Sequence, residues 1–325
     1  MSWSSLARSP RVRAVLHALV SLALLAWLVR QMDWSAFWAV APRARWGWLV
    51  VAWVLQAAGF GLSALRWQWV LRDLGIAEPA PRLLYWILLS AFWKQFLPTT
   101  VGGDGYRFWR AQTRHPDRRA AIFTSIFLDR LYGYLALLAV HGVLLLGVGD
   151  LLREGPRLLV WVEAAIGAGT LLGLALGWVW MRHGGRTNWG PAWLRPWLAR
   201  AQHLWNLALT RSRSMVVGAL AYSALFVLVN GLMLWAYLQV VGAAISWWPA
   251  VYASTLAAVL GALPITLNGL GLTEAALVLA LTPTGLTQEQ VLWAALLLRG
   301  TSLGLGLLGG ILYSLEAGHR AWAQK

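Results

Sequence analysis

Few side chains of this 325-residue chain carry charge inside an apolar stretch, and those that do fall in a repeating order, apart from Glu163 and His141, which lie at span depth outside it. Lys94, Asp104, Arg107, Asp129 and Arg130 come in the first half, Glu274 and Arg299 in the second, with Asn268 close by. A charged group at the centre of a bilayer costs at least about 2.5–3.5 kcal/mol, so each needs a partner or a ligand. Two chemistries fit. In one, Arg130 and Arg299 line a polar cavity and hold an anionic group near the midplane. Asp104, Arg107, Asp129, Glu274, Lys94 and Asn268 then complete the binding set and adjust its charge. In the other, the charges form interhelical pairs that serve as scaffold, for example Asp129 with Lys94 and Glu274 with Arg299. Asp129 and Arg130 are neighbours on a helix, about 100° apart around its axis, so they cannot simply neutralise each other.

The elements that must position these groups are written twice. LPTTVGGDG at 97–105 and LPITLNGLG at 263–271 share the skeleton Leu-Pro-x-Thr-x-x-Gly-x-Gly. Pro98, Gly102, Gly103 and Gly105 are the hinge positions of the first copy; Pro264, Gly269 and Gly271 are those of the second. No helix runs undisturbed through such a string. Its glycines let backbone N–H groups approach a ligand, and a half-helix starting after it directs a positive end inward. Broken segments at matching places in two halves point to a transport site at mid-membrane. After each break comes a span with one arginine at middle depth, Arg130 or Arg299, which extends the repeat beyond the tips.

The background is membrane. Hydrophobic residues make up 59% of the chain and charged ones 12%, half of the roughly 25% usual in soluble domains; mean hydropathy is +0.60. Apolar stretches long enough to cross, about 20 residues each, lie at 12–32, 46–70, 119–148, 157–181, 214–242 and 288–316. The stretches 82–97 and 247–263 are shorter, and each ends in the repeated break. The predicted fold is therefore an all-α polytopic membrane protein of about six full spans plus two re-entrant hairpins, near 82–118 and 247–285. With the N-terminus in the cytoplasm, most of the 27 basic residues fall on that side, as positive-inside bias requires; Arg66, Lys94, Arg130 and Arg299 remain at membrane depth. Three full spans separate the hairpins, so the second half, 214–325, is an inverted copy of the first, 1–181. The join at 182–213 reads as an amphipathic helix on the cytoplasmic interface, with Trp197, Leu198, Leu204 and Trp205 on its apolar face. The 24 tryptophans read as an interfacial belt, with Trp46, Trp48, Trp67, Trp69, Trp178, Trp180, Trp247 and Trp248 at the ends of apolar runs. Glycine ladders at Gly169, Gly173 and Gly177 and at Gly300, Gly304, Gly306 and Gly310 read as close helix packing.

The same residues exclude several classes. The positive charge lies in short loops, which argues against nucleic acid as a partner. There is no cysteine, and no metal-ligand spacing, Walker sequence, HExxH or GxSxG occurs, so no metal, cofactor or enzymatic activity is expected. The apolar run at 12–32 reads as an uncleaved first span rather than a signal peptide.

FLPTTVGGDGYRFWRA, the following FLDRLYG, and later LPITLNGLGLTEAALVLALTPTGLT with LLLRG resemble the membrane domain of the lysylphosphatidylglycerol synthase family, also known as multiple peptide resistance factors. The resemblance rests on Pro98, Gly102, Gly103, Asp104, Arg107, Asp129 and Arg130, then on Pro264, Gly269, Gly271, Glu274 and Arg299. It implies a flippase-like domain of the bacterial inner membrane that moves an anionic phospholipid or lipid-linked head group between leaflets. Membrane lipids are then its partners, together with a lipid-modifying or glycosyl-transferring enzyme if the chain serves as a non-catalytic partner. The synthases carry an aminoacyl-transferase domain after the membrane part, and this chain stops at Lys325, so lipid aminoacylation is not expected from it. A small-anion or proton-coupled transporter is the alternative reading of the residues.

Overall fold

A computed structural model describes residues 30, 34–40, 44–96, 102–182, 210–263 and 265–322. The first predicted span, the 182–213 helix apart from its ends, Pro98 and Pro264 lie outside the described residues. Those described contain helices and turns and no strand.

A short helix α1 (Trp34–Val40) precedes α2 (Gly47–Asp73). Next come α3 (Ala80–Phe96) and α4 (Gly102–Arg114), on either side of residues 97–101, and then α5 (Arg119–Leu145). The short α6 (Gly149–Glu154) leads into α7 (Arg157–Arg182). The second half runs α8 (Arg213–Val240), α9 (Trp247–Gly261), α10 (Leu272–Leu281) and α11 (Gln288–Trp322). Five of these helices, α2, α5, α7, α8 and α11, are long and apolar enough to cross a membrane. At 17 residues α3 spans about 25 Å and at 15 residues α9 about 22 Å, on a rise of 1.5 Å per residue. Neither comfortably crosses a hydrocarbon core of about 30 Å.

The most extensive packing joins α2 to α8. Around this pair the helices associate reciprocally: α3 of the first half lies on α11 of the second, and α9 of the second lies on α5 of the first. Within each half the broken helices pack on each other, α3 on α4 and α9 on α10. The largest apolar core gathers Leu234, Tyr237, Tyr252, Leu256, Leu277 and Leu281 from α8, α9 and α10.

Glycine permits two of the closest crossings. A Cβ at Gly231 of α8 would stand 2.7 Å from the Val251 Cα of α9, and one at Gly309 of α11 would strike the Leu88 carbonyl of α3. By contrast Gly169, Gly173, Gly300 and Gly304 have open space where a Cβ would go, whereas Gly310 lies against Phe92 of α3, so among the described residues the expected ladders pack in part. Gly231→Val and Gly309→Val should each lower stability by roughly 1–3 kcal/mol through overpacking, while Gly173→Val should not. Thermal unfolding of the three variants in one detergent provides the comparison, and equal midpoints would refute this account of the crossings.

Glu78, in the α2–α3 connection, ties the start of α3 to the end of α4. Its buried carboxylate accepts from Arg82, Arg114 and His115, each at 2.7 Å, and its backbone carbonyl accepts from Gln68. Burial alone would raise the Glu78 pKa, but the hydrogen bonds of Arg82 and His115 and the charges of Arg82 and Arg114 hold it below its ordinary 4.5. The stabilisation is therefore complete above that unfolded value and is lost as the pH falls through the lower folded one. Glu78→Gln should flatten the acid limb of the stability profile; an unchanged limb would show that other carboxylates cause it.

The tryptophans divide. Trp46, Trp161 and Trp247 are exposed near helix ends as a belt requires, but Trp67 is fully buried. Its indole N–H donates to Ser125 at 3.1 Å, and the Arg107 guanidinium lies 4.1 Å above its ring. Trp67 belongs to the interior because α2 turns this face toward α3 and α5.

Candidate functional site

The site is assembled from the two breaks and the two spans that follow them. In each half a carboxylate occupies the third position of the helix after the break: Asp104 in α4, which starts at Gly102, and Glu274 in α10, which starts at Leu272. Each pairs with the arginine of its following span. Arg130 Nε donates to Asp104 Oδ2 at 2.7 Å across 26 residues, and Arg299 Nε donates to Glu274 Oε1 at 2.5 Å across 25. Asp104 aligns with Leu270 in the repeated string, so the equivalence emerges only from helix starts, not from the motif register.

In the second half Glu274 also accepts from the Gly271 N–H at 2.7 Å, and Arg299 Nη2 donates to the Thr273 hydroxyl at 2.7 Å. The positive end of α10, expected from sequence to attract a ligand anion, thus already holds a carboxylate of its own. The tip turns through three residues of positive φ, Asn268 at 50°, Gly269 at 73° and Gly271 at 78°. The two glycines take this conformation without the Cβ penalty that Asn268 bears.

The first half adds a second carboxylate. Asp129 is 1% exposed; its Oδ1 accepts from Arg66 Nε at 2.6 Å, and its Oδ2 accepts both terminal nitrogens of Arg107 at 3.1 Å. Arg107 continues to Asp104 at 3.3 Å, and Arg66 reaches the Ser223 hydroxyl of α8 at 3.1 Å. The expected divergence of Asp129 and Arg130 is observed: Asp129 faces the bundle interior, whereas Arg130 keeps 42% of its side chain exposed. Asp129 is held by Arg66 and Arg107, while Lys94 is not its partner. Arg66 was recognisable in sequence only as a cation at membrane depth, and neither Ser223 nor Thr273 carried a signal, because a lone hydroxyl in an apolar helix has no spacing to betray it.

The halves meet at Lys94. Asn268 Nδ2 of the second tip donates to the Lys94 carbonyl at 3.4 Å. The Lys94 ammonium lies within electrostatic reach of Arg130, Asp104 and Arg299, so it joins both ion-pair groups. Its side chain is exposed. Among the described residues it has no carboxylate or hydrogen-bond acceptor. Among the described residues the cluster thus brings five basic side chains, Arg66, Lys94, Arg107, Arg130 and Arg299, together with three acidic ones, Asp104, Asp129 and Glu274.

The family model described as the lysylphosphatidylglycerol synthase TM region matches residues 14–310, both breaks and both arginine spans included. The chain belongs to this family. None of the curated proteins matches it. Family membership and the five apolar helices make it a multi-pass membrane protein related to lipid modification or translocation. Sequence placed eight residues in the family member's binding set, and the structure brings Lys94, Asp104, Arg107, Asp129, Arg130, Glu274, Arg299 and Asn268 into one connected polar region.

Proposed function

We propose that the protein is a non-enzymatic lipid translocase that moves an anionic phospholipid or lipid-linked head group between leaflets of the bacterial inner membrane. The observation that carries this reading is the excess of basic over acidic side chains around Lys94 among the described residues, at the place where the two broken segments touch. An anion entering there offsets that excess. Arg130 and Arg299 are engaged by carboxylates, so Lys94 provides first capture, while the exposed parts of the two arginines, 42% and 29%, supply further donors.

In the same reading α3–α4 and α9–α10 are re-entrant hairpins of an inverted repeat. The reciprocal packing of α3 on α11 and α9 on α5 supports the repeat, and the Glu78 clamp between the start of α3 and the end of α4 supports the first hairpin. The halves 1–181 and 214–325 then move about the α2–α8 contact, with the termini and the 182–213 join on the cytoplasmic side.

Vesicles reconstituted with the purified protein should equilibrate a fluorescent anionic phospholipid between leaflets faster than protein-free vesicles. Equal rates would end the proposal, and uptake of a soluble anion without lipid movement would favour the transporter reading instead. The paired state of Arg130 and Arg299 gives a second reading some support, that of a scaffold for a lipid-modifying enzyme; in that case partner binding persists in variants of Lys94 that bind no lipid.

A further inference from the structure

A second polar group, buried, lies outside the Lys94 cluster and takes no part in the repeat. It joins three elements: His141 from α5, Glu163 from α7, and Tyr252 and Thr255 from α9, all buried. His141 Nε2 lies 2.9 Å from Glu163 Oε2, and the Tyr252 hydroxyl donates to Glu163 Oε1 at 2.5 Å. His141 Nδ1 lies 2.9 Å from the Thr255 oxygen, and the imidazole stacks on the Tyr252 ring at 5.7 Å.

Two counts place one proton between His141 and Glu163. The first concerns charge. Among the described residues Glu163 contacts no arginine or lysine, and α8 and α10 supply none: Tyr237 donates to Thr301, and Glu274 is held by Arg299. A carboxylate buried at membrane depth with no cation is strongly disfavoured, so a bound proton must neutralise it, on either partner. The second concerns donors. Thr255 spends its only hydroxyl hydrogen on the Tyr252 carbonyl at 2.7 Å, so toward His141 it accepts, and Nδ1 carries a hydrogen. Nε2 and Oε2 can then remain at 2.9 Å only if one more proton lies between them. Without it two lone pairs face each other and Glu163 bears a full charge.

We propose that His141 and Glu163 form a proton-binding site that couples lipid movement to a proton gradient. Binding the proton fastens α9 to α5 and α7, and releasing it loosens α9, whose far end leads through Gly261 to the second break beside Lys94. This rests on the translocase reading above, with the proton supplying the driving ion.

The test uses the full chain in vesicles with and without an imposed pH difference. Wild-type rates should change with the gradient. Glu163→Gln, whose amide keeps both hydrogen bonds but has no exchangeable acid proton, should lose the response. A gradient response that persists in Glu163→Gln, or its absence in a wild-type protein that moves lipid, overturns the coupling. If the wild type moves no lipid, the translocase reading falls on its own. The proton site is then judged by the ¹⁵N ring signals of His141, identified by their loss in His141→Gln. Hydrogen on Nδ1, with an Nε2 signal that shifts in Glu163→Gln, supports the site; an unprotonated Nδ1 overturns it.

Discussion

Replacing Asp129 by alanine is expected to destabilise the protein by roughly 3–5 kcal/mol, the range found when one partner of a buried ion pair is removed. Asp129 is the shared acceptor of two arginines, Arg66 at 2.6 Å and Arg107 at 3.1 Å, and is 1% exposed. Its loss strands both guanidinium groups, leaving Arg66 the Ser223 hydroxyl and the Phe226 ring, and Arg107 the longer contact to Asp104 and the Trp67 ring. These bonds connect α2, α4, α5 and α8, so the effect reaches the α2–α8 contact around which the helices assemble. Arg130→Ala provides the control, because Arg130 is 42% exposed and the Asp104 it leaves behind keeps its contact to Arg107. Thermal midpoints in a single detergent should fall much further for Asp129→Ala than for Arg130→Ala, and a similar fall in both would show that burial does not determine the ranking. Asp129→Ala combined with Arg66→Met and Arg107→Met should recover part of the loss, since apolar replacement of a complete buried group is often close to neutral.

How much of this arrangement could be read in the chain depends on what carries each feature. The interruption at 263–271 follows from local chemistry, the glycines themselves, and the structure ends α9 at Gly261 and begins α10 at Leu272 accordingly, whereas Gly102, Gly103 and Gly105 of the first copy lie inside α4. The pairing of Glu274 with Arg299 was available as an expectation because few other charges lie at that depth. The pairing of Asp129 was not, because Arg66, Lys94 and Arg107 are comparable candidates until the rotation of α2 is known. Trp67 reads as interfacial from its place near the end of an apolar run, yet the same rotation buries it beneath Arg107. The glycine ladders fail for a related reason. Spacing puts Gly169 and Gly173 on one face of α7 but says nothing of whether a helix lies opposite, and within the described residues none comes within reach of their Cβ positions.

Replacing Lys94 by glutamine should reduce the translocation of anionic lipid at least about tenfold, equivalent to about 1.4 kcal/mol, while leaving the thermal midpoint unchanged. The two halves of this expectation have one cause. Lys94 makes no ion pair among the described residues, and Asp104, within its electrostatic reach, keeps Arg107 and Arg130, so removing its charge strands no carboxylate, in contrast to Arg299→Ala, which would strand Glu274. The cost therefore falls on the ligand, which loses one of the basic groups that draw it in. Lys94→Arg should retain most of the rate, and Lys94→Glu should lose more than glutamine does, since it cancels the excess entirely. A zwitterionic lipid offers the discriminating measurement: its rate should respond less than that of an anionic one. Equal losses for both lipids, or a midpoint that falls with the rate, would make Lys94 a structural residue and would return anion capture to Arg130 and Arg299.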